Sequence, residues 1–410
     1  MRPLYTAAIR LYAAAVHAAA PFNGKARKMI DGRRSIDDVL REKIVPGARY
    51  VWLHAASLGE FEQGRPLLEA IRQRHPDYKI VLTFFSPSGY DVRRDYPGAD
   101  VVCYLPFDFP RRIRAFLDRV RPTLALFVKY EFWLNTLDEL RRRRVLTYLV
   151  SGIFRPGQLF FRPIGRPYRD ALRCFDHLFV QDETSRQLLV GIGLTNVTVT
   201  GDTRFDRVID IRHAARPLPV VAAFAERDAR PVLIAGSSWP EDEALLIPYF
   251  NAHPELKLIL APHEIHEAHL AAIEARLTRP ALRLSRADAD TAAGVDCLIV
   301  DSFGLLSSIY RYARIAYIGG GFGHGIHNAP EAAVYAVPVL FGPNHRKFRE
   351  ALDLIACGGA YSITDASTLA ARLDALLADS DACTAAGESA GAYIQQHSGA
   401  TEQILRAIDL

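Results

Sequence analysis

Short apolar runs rich in β-branched and aromatic residues alternate along the chain with stretches whose apolar residues recur at helical spacing. In the first half "YVWLHA", "KIVLTFF", "DVVCYLPF", "LALFVKY", "VLTYLVS", "HLFVQD" and "VTVTGD" read as strands. A second series runs through "PVLIAGS", "KLILAPH", "DCLIVDS", "IAYIGGG" and "PVLFGP". Strands alternating with helices predict α/β architecture with parallel sheets, and two series predict two Rossmann-like domains facing a central cleft. "RHAARPLPVVAAFAERDARP" separates the series, contains prolines and shows no clear strand. The predicted boundaries are 1–30 for an N-terminal helix, 31–212 for the first domain, 213–230 for a linker and 231–390 for the second domain. Residues 391–410 form a C-terminal helix free to pack back on the first domain. No repeat of solenoid period and no low-complexity tract interrupts this order.

The N-terminus adds a feature that strands and helices of a soluble domain do not require. In "PLYTAAIRLYAAAVHAAAPFNGKARK", Tyr5, Ile9, Tyr12 and Val16 share one helical face, while Arg10 and His17 share another. Those two polar residues interrupt the run of about 20 apolar residues that spanning a bilayer takes. An interfacial helix lying on a membrane and followed by Lys25, Arg27 and Lys28 fits the pattern. A signal peptide, suggested by the small residues of "VHAAAPF", is opposed by Arg10 inside its apolar core. An Ala-rich helix packed on the protein is the third reading.

Charge sharpens this picture. A chain of 410 residues with net charge +4 has the length of about two domains. Residues 1–212 carry 35 Lys and Arg against 23 Asp and Glu, whereas residues 213–410 carry 15 against 23. A basic half joined to an acidic one predicts an anionic partner for the first: membrane surface, phosphorylated lipid or nucleic acid. Cys103, Cys174, Cys297, Cys357 and Cys383 form no C-x-x-C pair, which argues against a zinc site or disulfide framework and suits a reducing cytoplasm.

Candidate chemistry clusters where strands hand over to helices, the ligand-binding edge of an open α/β sheet. In "HAASLGEFEQG", Ser57 and Glu60 have the spacing of a capping box, yet Glu60 could equally be a general base facing a cleft. Asn328 and Glu331, after the glycine cluster "IGGGFGHGIHNAPEAA", repeat the ambiguity in the second half. Gly319, Gly320, Gly321, Gly323 and Gly325 permit close backbone approach, and the following helix start offers N–H groups to a phosphate. The cluster is neither a dinucleotide fingerprint nor a Walker loop. Ser237 and Ser238 before Pro240 could bind phosphate or cap a helix. His263, His266 and His269 are three apart but do not form H-E-x-x-H, so no metal is expected. Lys129 and Glu131 lie at another strand end. Arg155, Arg162, Arg166 and Arg169 interleave with Phe154, Phe160, Phe161 and Tyr168, a mixture suited to phosphate and acyl chain. A nucleic-acid channel could look similar, but would leave the N-terminal helix unexplained.

Taken together, "HAASLGE", "KYEFW", "VTGDTRFD", "AGSSWPEDE", "LILAPHE" and "GGGFGHGIHNAPEAA…VPVLFGPNHRKFREA" resemble the 3-deoxy-D-manno-octulosonic acid (Kdo) transferases of Gram-negative lipopolysaccharide synthesis, in order and over nearly the whole chain. The resemblance implies a GT-B glycosyltransferase with an N-terminal acceptor domain, a C-terminal nucleotide-sugar domain and a membrane-associated N-terminal helix. It implies transfer of Kdo from CMP-Kdo to the lipid A precursor, lipid IVA, at the cytoplasmic face of the inner membrane, without metal, cofactor or nucleic acid.

Carried over by residue, Glu60 matches the catalytic base and Glu131 a second acid, with Lys129 where relatives have another acid. Ser57, Gly59, Lys129, Arg155 and Arg162 fall on the acceptor side. Ser237, His263, Gly320, Gly321, His327, Asn328 and Glu331 fall on the donor side, with backbone amides for the CMP phosphate and Glu331 for ribose. Many members have P-R-H after "LILAP"; here Pro262 is followed by His263 and Glu264, and His263 would need a proton to supply the missing charge. The alternatives are another GT-B enzyme using a UDP-sugar, a sugar-nucleotide epimerase, or a noncatalytic lipid-binding protein.

Overall fold

The computed structural model describes residues 2–215, 217–323 and 325–408; the Arg166 side chain lies outside what is described. Packing divides the chain into residues 1–207 with 398–410, and residues 208–397.

The first unit is built on β1 (Arg49–Ala55), β2 (Tyr78–Phe84), β3 (Val101–Tyr104), β4 (Pro122–Val128), β5 (Leu146–Gly152), β6 (His177–Val180) and β7 (Val197–Val199). They form one parallel sheet in the order β3-β2-β1-β4-β5-β6-β7. Side chains alternate across it: Val51 and Leu53 enter one buried layer with Phe61 and Leu126, Trp52 the opposite layer with Phe116 and Phe127. Both faces are covered, which is why these strands read as unbroken apolar runs. Strand order reverses between β1 and β4, so their carboxyl ends flank a topological switch point.

The second unit repeats the plan with β8 (Val232–Ser238), β9 (Lys257–Pro262), β10 (Ala281–Arg283), β11 (Cys297–Ile299), β12 (Ile315–Ile318), β13 (Val339–Phe341) and β14 (Ala360–Ser362). The parallel order is β10-β11-β9-β8-β12-β13-β14, with the reversal between β8 and β12. The edge strands β10 and β14 have no counterpart among the predicted runs.

The segment between the two strand series and the C-terminal segment are both packed. Residues 213–230 contain the helix Pro219–Glu226, whose Val221 and Phe224 are buried. The fully buried Lys257 ammonium donates to the carbonyls of Phe224 and Ala225 at 3.2 and 2.7 Å, closing that helix. After the helix Ser380–Gln396 the chain turns at Gly399, and the helix Ala400–Ala407 begins. Ile404 and Ile408 join the layer of Val51 and Leu53, and the Asp206 carboxylate accepts from Thr401 N at 2.6 Å.

The N-terminal helix Arg2–Ala19 packs on the first unit through the face expected to meet a membrane. Tyr5 Oη donates to the buried Asp108 carboxylate at 2.7 Å, and Tyr12 lies over Phe85. A different stripe is left outside: Leu4, Ala8, Leu11, Ala15 and Ala18 recur at helical spacing, with Phe22 just beyond the helix end. Leu4, Leu11 and Phe22 are 74%, 73% and 92% exposed. No described helix is long and apolar enough to cross a membrane.

Candidate active site

At the switch point of the first sheet, β1 leads through Ala56 into the helix Leu58–Arg74. Ser57 is its N-cap residue by backbone geometry, but its hydroxyl accepts no backbone N–H. It donates to the Glu60 carboxylate instead. The expected capping box is therefore not formed, because the hydroxyl proton is aimed at the acid that would have closed the box. Glu60 is half-buried in the first turn, and its charge is felt by Tyr130, whose hydroxyl burial pushes up and Arg155 draws down. Gly59 is exposed beside it.

Glu131 follows the adjacent strand β4. Its Oε2 accepts from Trp133 Nε1 at 2.6 Å and lies 3.0 Å from Nε2 of His54, a fully buried residue of β1. His54 Nδ1 in turn lies 2.9 Å from Thr83 Oγ1 on β2, which accepts from Trp52 Nε1 at 2.8 Å. Lys129, between strand and acid, adopts φ 63°, a conformation that non-glycine residues rarely take. Its charge reaches buried Asp202, whose carboxyl burial would raise but whose contacts with Arg204 hold it below the usual range. Arg155 and Arg162 are exposed; Arg155 shares the surroundings of Tyr130, whereas the Arg162 carbonyl accepts from Arg169 at 2.8 Å.

The second unit presents a matching edge. Ser237, next to last in β8, has φ 53°, and the helix Pro240–Ala252 starts immediately after Trp239. The fully buried Asp242 carboxylate ties three elements together: it accepts from Trp239 N at 2.9 Å, Gly320 N at 2.8 Å and Tyr317 Oη at 2.7 Å. Gly320, at φ 90°, thus shapes the loop but has its amide occupied. The rings of Trp239, His263 and His327 are stacked, with centroids 4.6 Å apart for the first pair and 4.5 Å for the second. Trp239 Nε1 donates to His327 Nε2 at 3.0 Å. Burial, and then the neighbouring His263, lowers His327 to about 4. His327 is therefore a neutral imidazole at neutral pH.

Glu331 accepts from Asn328 Nδ2 and from Ser307 Oγ, both at 2.7 Å. Asn328 Oδ1 is buried and has no partner among the described residues. As with Ser57 and Glu60, a donor three residues earlier holds the acid, and no side-chain cap is made. Glu264, His266 and His269 approach one another closely enough to suggest a metal. His269, however, uses Nδ1 at 2.8 Å from the Glu264 carbonyl and Nε2 at 2.9 Å from the Glu243 carboxylate.

Sequence reasoning picked out the strand-end acids and missed what holds them. His54, Trp133 and Asp242 fall within "HAASLGE", "KYEFW" and "AGSSWPEDE", but neither they nor Thr83 were singled out; the available signal was a polar residue inside an apolar strand or at a helix start.

Two doubly covered parallel domains, each with polar residues at the carboxyl edge of its switch point, define a chain of GT-B-like type. A UDP-GlcNAc 2-epimerase of Neisseria meningitidis bound to UDP-GlcNAc has this fold, with TM-score 0.59 and 12% identity over 87% of this chain and 98% of that one. Residues 30–207 match the family model of the 3-deoxy-D-manno-octulosonic acid transferase (kdotransferase) N-terminal region. The chain is 30% identical to a 3-deoxy-D-manno-octulosonic acid transferase of Bordetella pertussis over 383 residues, 89% of this chain and 88% of that one. To the corresponding transferase of Rickettsia felis it is 25% identical over 371 residues, 87% and 78% of the two chains. The chain belongs to the Kdo transferase family and is a glycosyltransferase.

Proposed function

We propose that the chain is an inverting transferase that moves Kdo from CMP-Kdo to the phosphorylated lipid A precursor, lipid IVA. Glu60 takes the proton from an acceptor sugar hydroxyl as that oxygen attacks the anomeric carbon of Kdo. The bond from that carbon to the phosphate oxygen breaks, and CMP leaves with the electron pair. General-base help of this kind is worth roughly 10²–10⁴ in rate. One observation carries the role: the Glu60 carboxylate is held by the Ser57 hydroxyl and is not spent on capping its helix. Glu131, fixed by His54 and Trp133, is the second acid.

On the donor side, Gly321 and Ser237 line the phosphate, and Glu331 with Asn328 meets the ribose hydroxyls. The unpartnered Asn328 Oδ1 supports that use, since a buried acceptor left without a donor is costly. His327, neutral, serves as a hydrogen-bonding ring, stacked beside His263. The reaction needs no resident metal or cofactor; unchanged activity in chelator is the expected result, and loss of activity would refute this part.

The acceptor is lipid-borne, and the enzyme works at the cytoplasmic face of the inner membrane. The exposed Leu4, Leu11 and Phe22, followed by Lys25, Arg27 and Lys28, supports that placement. Nucleic acid is not a partner.

Glu60→Gln tests the mechanism. Glutamine still accepts from Ser57 but cannot take up the proton, so Kdo transfer should fall about a hundredfold or more with the fold intact. A rate close to the parent's would remove Glu60 from the role and move the search for the base to Glu131.

A further inference from the structure

Beyond the strand ends of β2 and β3 the first unit contains a cavity of about 650 Å³, lined by Arg33, Arg34, Arg111 and Arg112 together with the Phe107 and Phe109 rings. Asp37 is the single carboxylate among its described lining residues. Arg34 is already paired with Asp31 at 3.2 Å, whereas Arg33, Arg111 and Arg112 have no carboxylate partner among the described residues.

Arg33 is the least ordinary of the four. Its guanidinium lies 4.5–5.1 Å from the ring centroids of Phe107, Phe85 and Tyr104, donates to the Met29 and Phe85 carbonyls, and leaves Nε buried without a partner. Desolvation lowers it to about 10. A cation held in such surroundings without a counter-charge is destabilising unless something else supplies the anion. Arg111 and Arg112 break a local rule as well. They lie in the helix Pro110–Val120, whose first turn carries no acid, although a helix start disfavours cations.

The cavity is connected to the acids of the site. Arg33 Nη2 donates to Phe85 O at 2.9 Å, and Ser86 N donates to Ala56 O at 2.8 Å, one residue before Ser57. The Phe85 ring stacks on Trp133 at 4.6 Å, and Trp133 holds Glu131. Neighbouring strands are spaced by about 4.8 Å, which sets the end of β3 about 10 Å from the end of β1. A phosphorylated sugar is long enough to span that interval with its hydroxyl at Glu60.

We infer that this arginine-lined, phenylalanine-walled cavity binds the phosphate monoester of the acylated acceptor and so registers the acceptor hydroxyl against Glu60. Guanidinium groups suit phosphate oxygens, and the rings suit the adjoining apolar part of the same ligand. The inference rests on the acceptor reading given under the proposed function.

The test is calorimetric binding of an acylated glucosamine phosphate and of its dephosphorylated counterpart to the full chain in neutral detergent, for the parent and for Arg111→Ser/Arg112→Ser. Both arginines are exposed, and removing cations from a helix start does not oppose its dipole, so the variant should fold. The parent should prefer the phosphorylated form tenfold or more, and the variant should lose that preference. Equal affinity of the parent for the two forms, or an unchanged preference in the variant, would overturn the assignment. Phosphatidylglycerol vesicles give the other arm. If they displace the phosphorylated glycolipid from the parent as well as unlabelled glycolipid does, the cavity serves bulk membrane phosphate and the acceptor assignment fails. Because binding needs no CMP-Kdo, failure of the parent to transfer Kdo would sink the functional reading without touching this result.

Discussion

His54 and Glu131 lie 77 residues apart in sequence and 3.0 Å apart in space, joined from Nε2 to Oε2. The acceptor-only Glu131 carboxylate favours the imidazole proton on Nε2, which Trp133 Nε1 also approaches at 3.2 Å. Nδ1 is then the acceptor, and the Thr83 hydroxyl, which accepts from Trp52 Nε1 at 2.8 Å, is placed to donate to it at 2.9 Å. His54 is thus a positioning residue for an acid it does not resemble in sequence.

Thr83→Val removes the hydroxyl at nearly constant volume. It should leave the Trp52 N–H unpaired at a cost of about 1–3 kcal/mol and free Nδ1 to carry the proton. Imidazole nitrogen NMR should find the parent protonated at Nε2 and the variant shifted towards Nδ1, with kcat lowered and the KM for CMP-Kdo little changed. A parent ring protonated at Nδ1 alone would contradict the relay.

Asp242→Asn is expected to destabilise the second unit. Two N–H groups converge on one carboxylate oxygen, and an amide can keep them only by turning its NH2 to Tyr317, whose hydroxyl must then give up its donated bond and accept instead. A loss of about 2–4 kcal/mol in urea unfolding is expected; an unchanged midpoint would show that the carboxylate is not the anchor of the glycine loop.

The fold was legible to the extent that burial made it so. β1 and β4 announce themselves because a parallel strand covered on both faces is apolar along its length. β10 and β14 do not, being three-residue edge strands ending in Arg283 and Ser362. Glu60 and Glu331 were found as strand-end acids, but their spacing to Ser57 and Asn328 fits a cap and a held carboxylate equally. Only the direction of the side chains separates those two arrangements. His54 and Asp242 were out of reach for another reason: apart from Trp239 N beside Asp242, their partners are 29–78 residues away, and no local pattern encodes such pairings.

Acid should weaken the second unit partly through His327. In the folded chain this ring is lowered from its ordinary 6.5 to about 4, so between those values the unfolded chain binds the extra proton. Stability present above about pH 6.5 is therefore lost as the pH falls towards 4. The urea midpoint of the parent should drop more steeply over this window than that of His327→Gln; parallel slopes would contradict the shift.

The outer stripe of the N-terminal helix predicts membrane attachment without insertion across it. Leu11→Glu and Phe22→Glu change exposed side chains and should leave the unfolding midpoint within about 0.5 kcal/mol of the parent. Each full burial forgone is worth roughly 1.5–3 kcal/mol, so cosedimentation with anionic vesicles should fall tenfold or more. Equal binding by the parent and the double variant would remove this stripe from contact with lipid.

Gly321 and Gly342, at the ends of β12 and β13, press backbone against backbone. A Cβ on Gly321 would lie 2.5 Å from Gly342 N, and one on Gly342 would lie 2.6 Å from Gly321 C. Enlarging either residue cannot be answered by shrinking the other, because neither has anything left to remove. As the sequence drifts, this pair has no compensating exchange open to it. Its closeness would register as two independently constant columns, invisible to any search for contacts through correlated change.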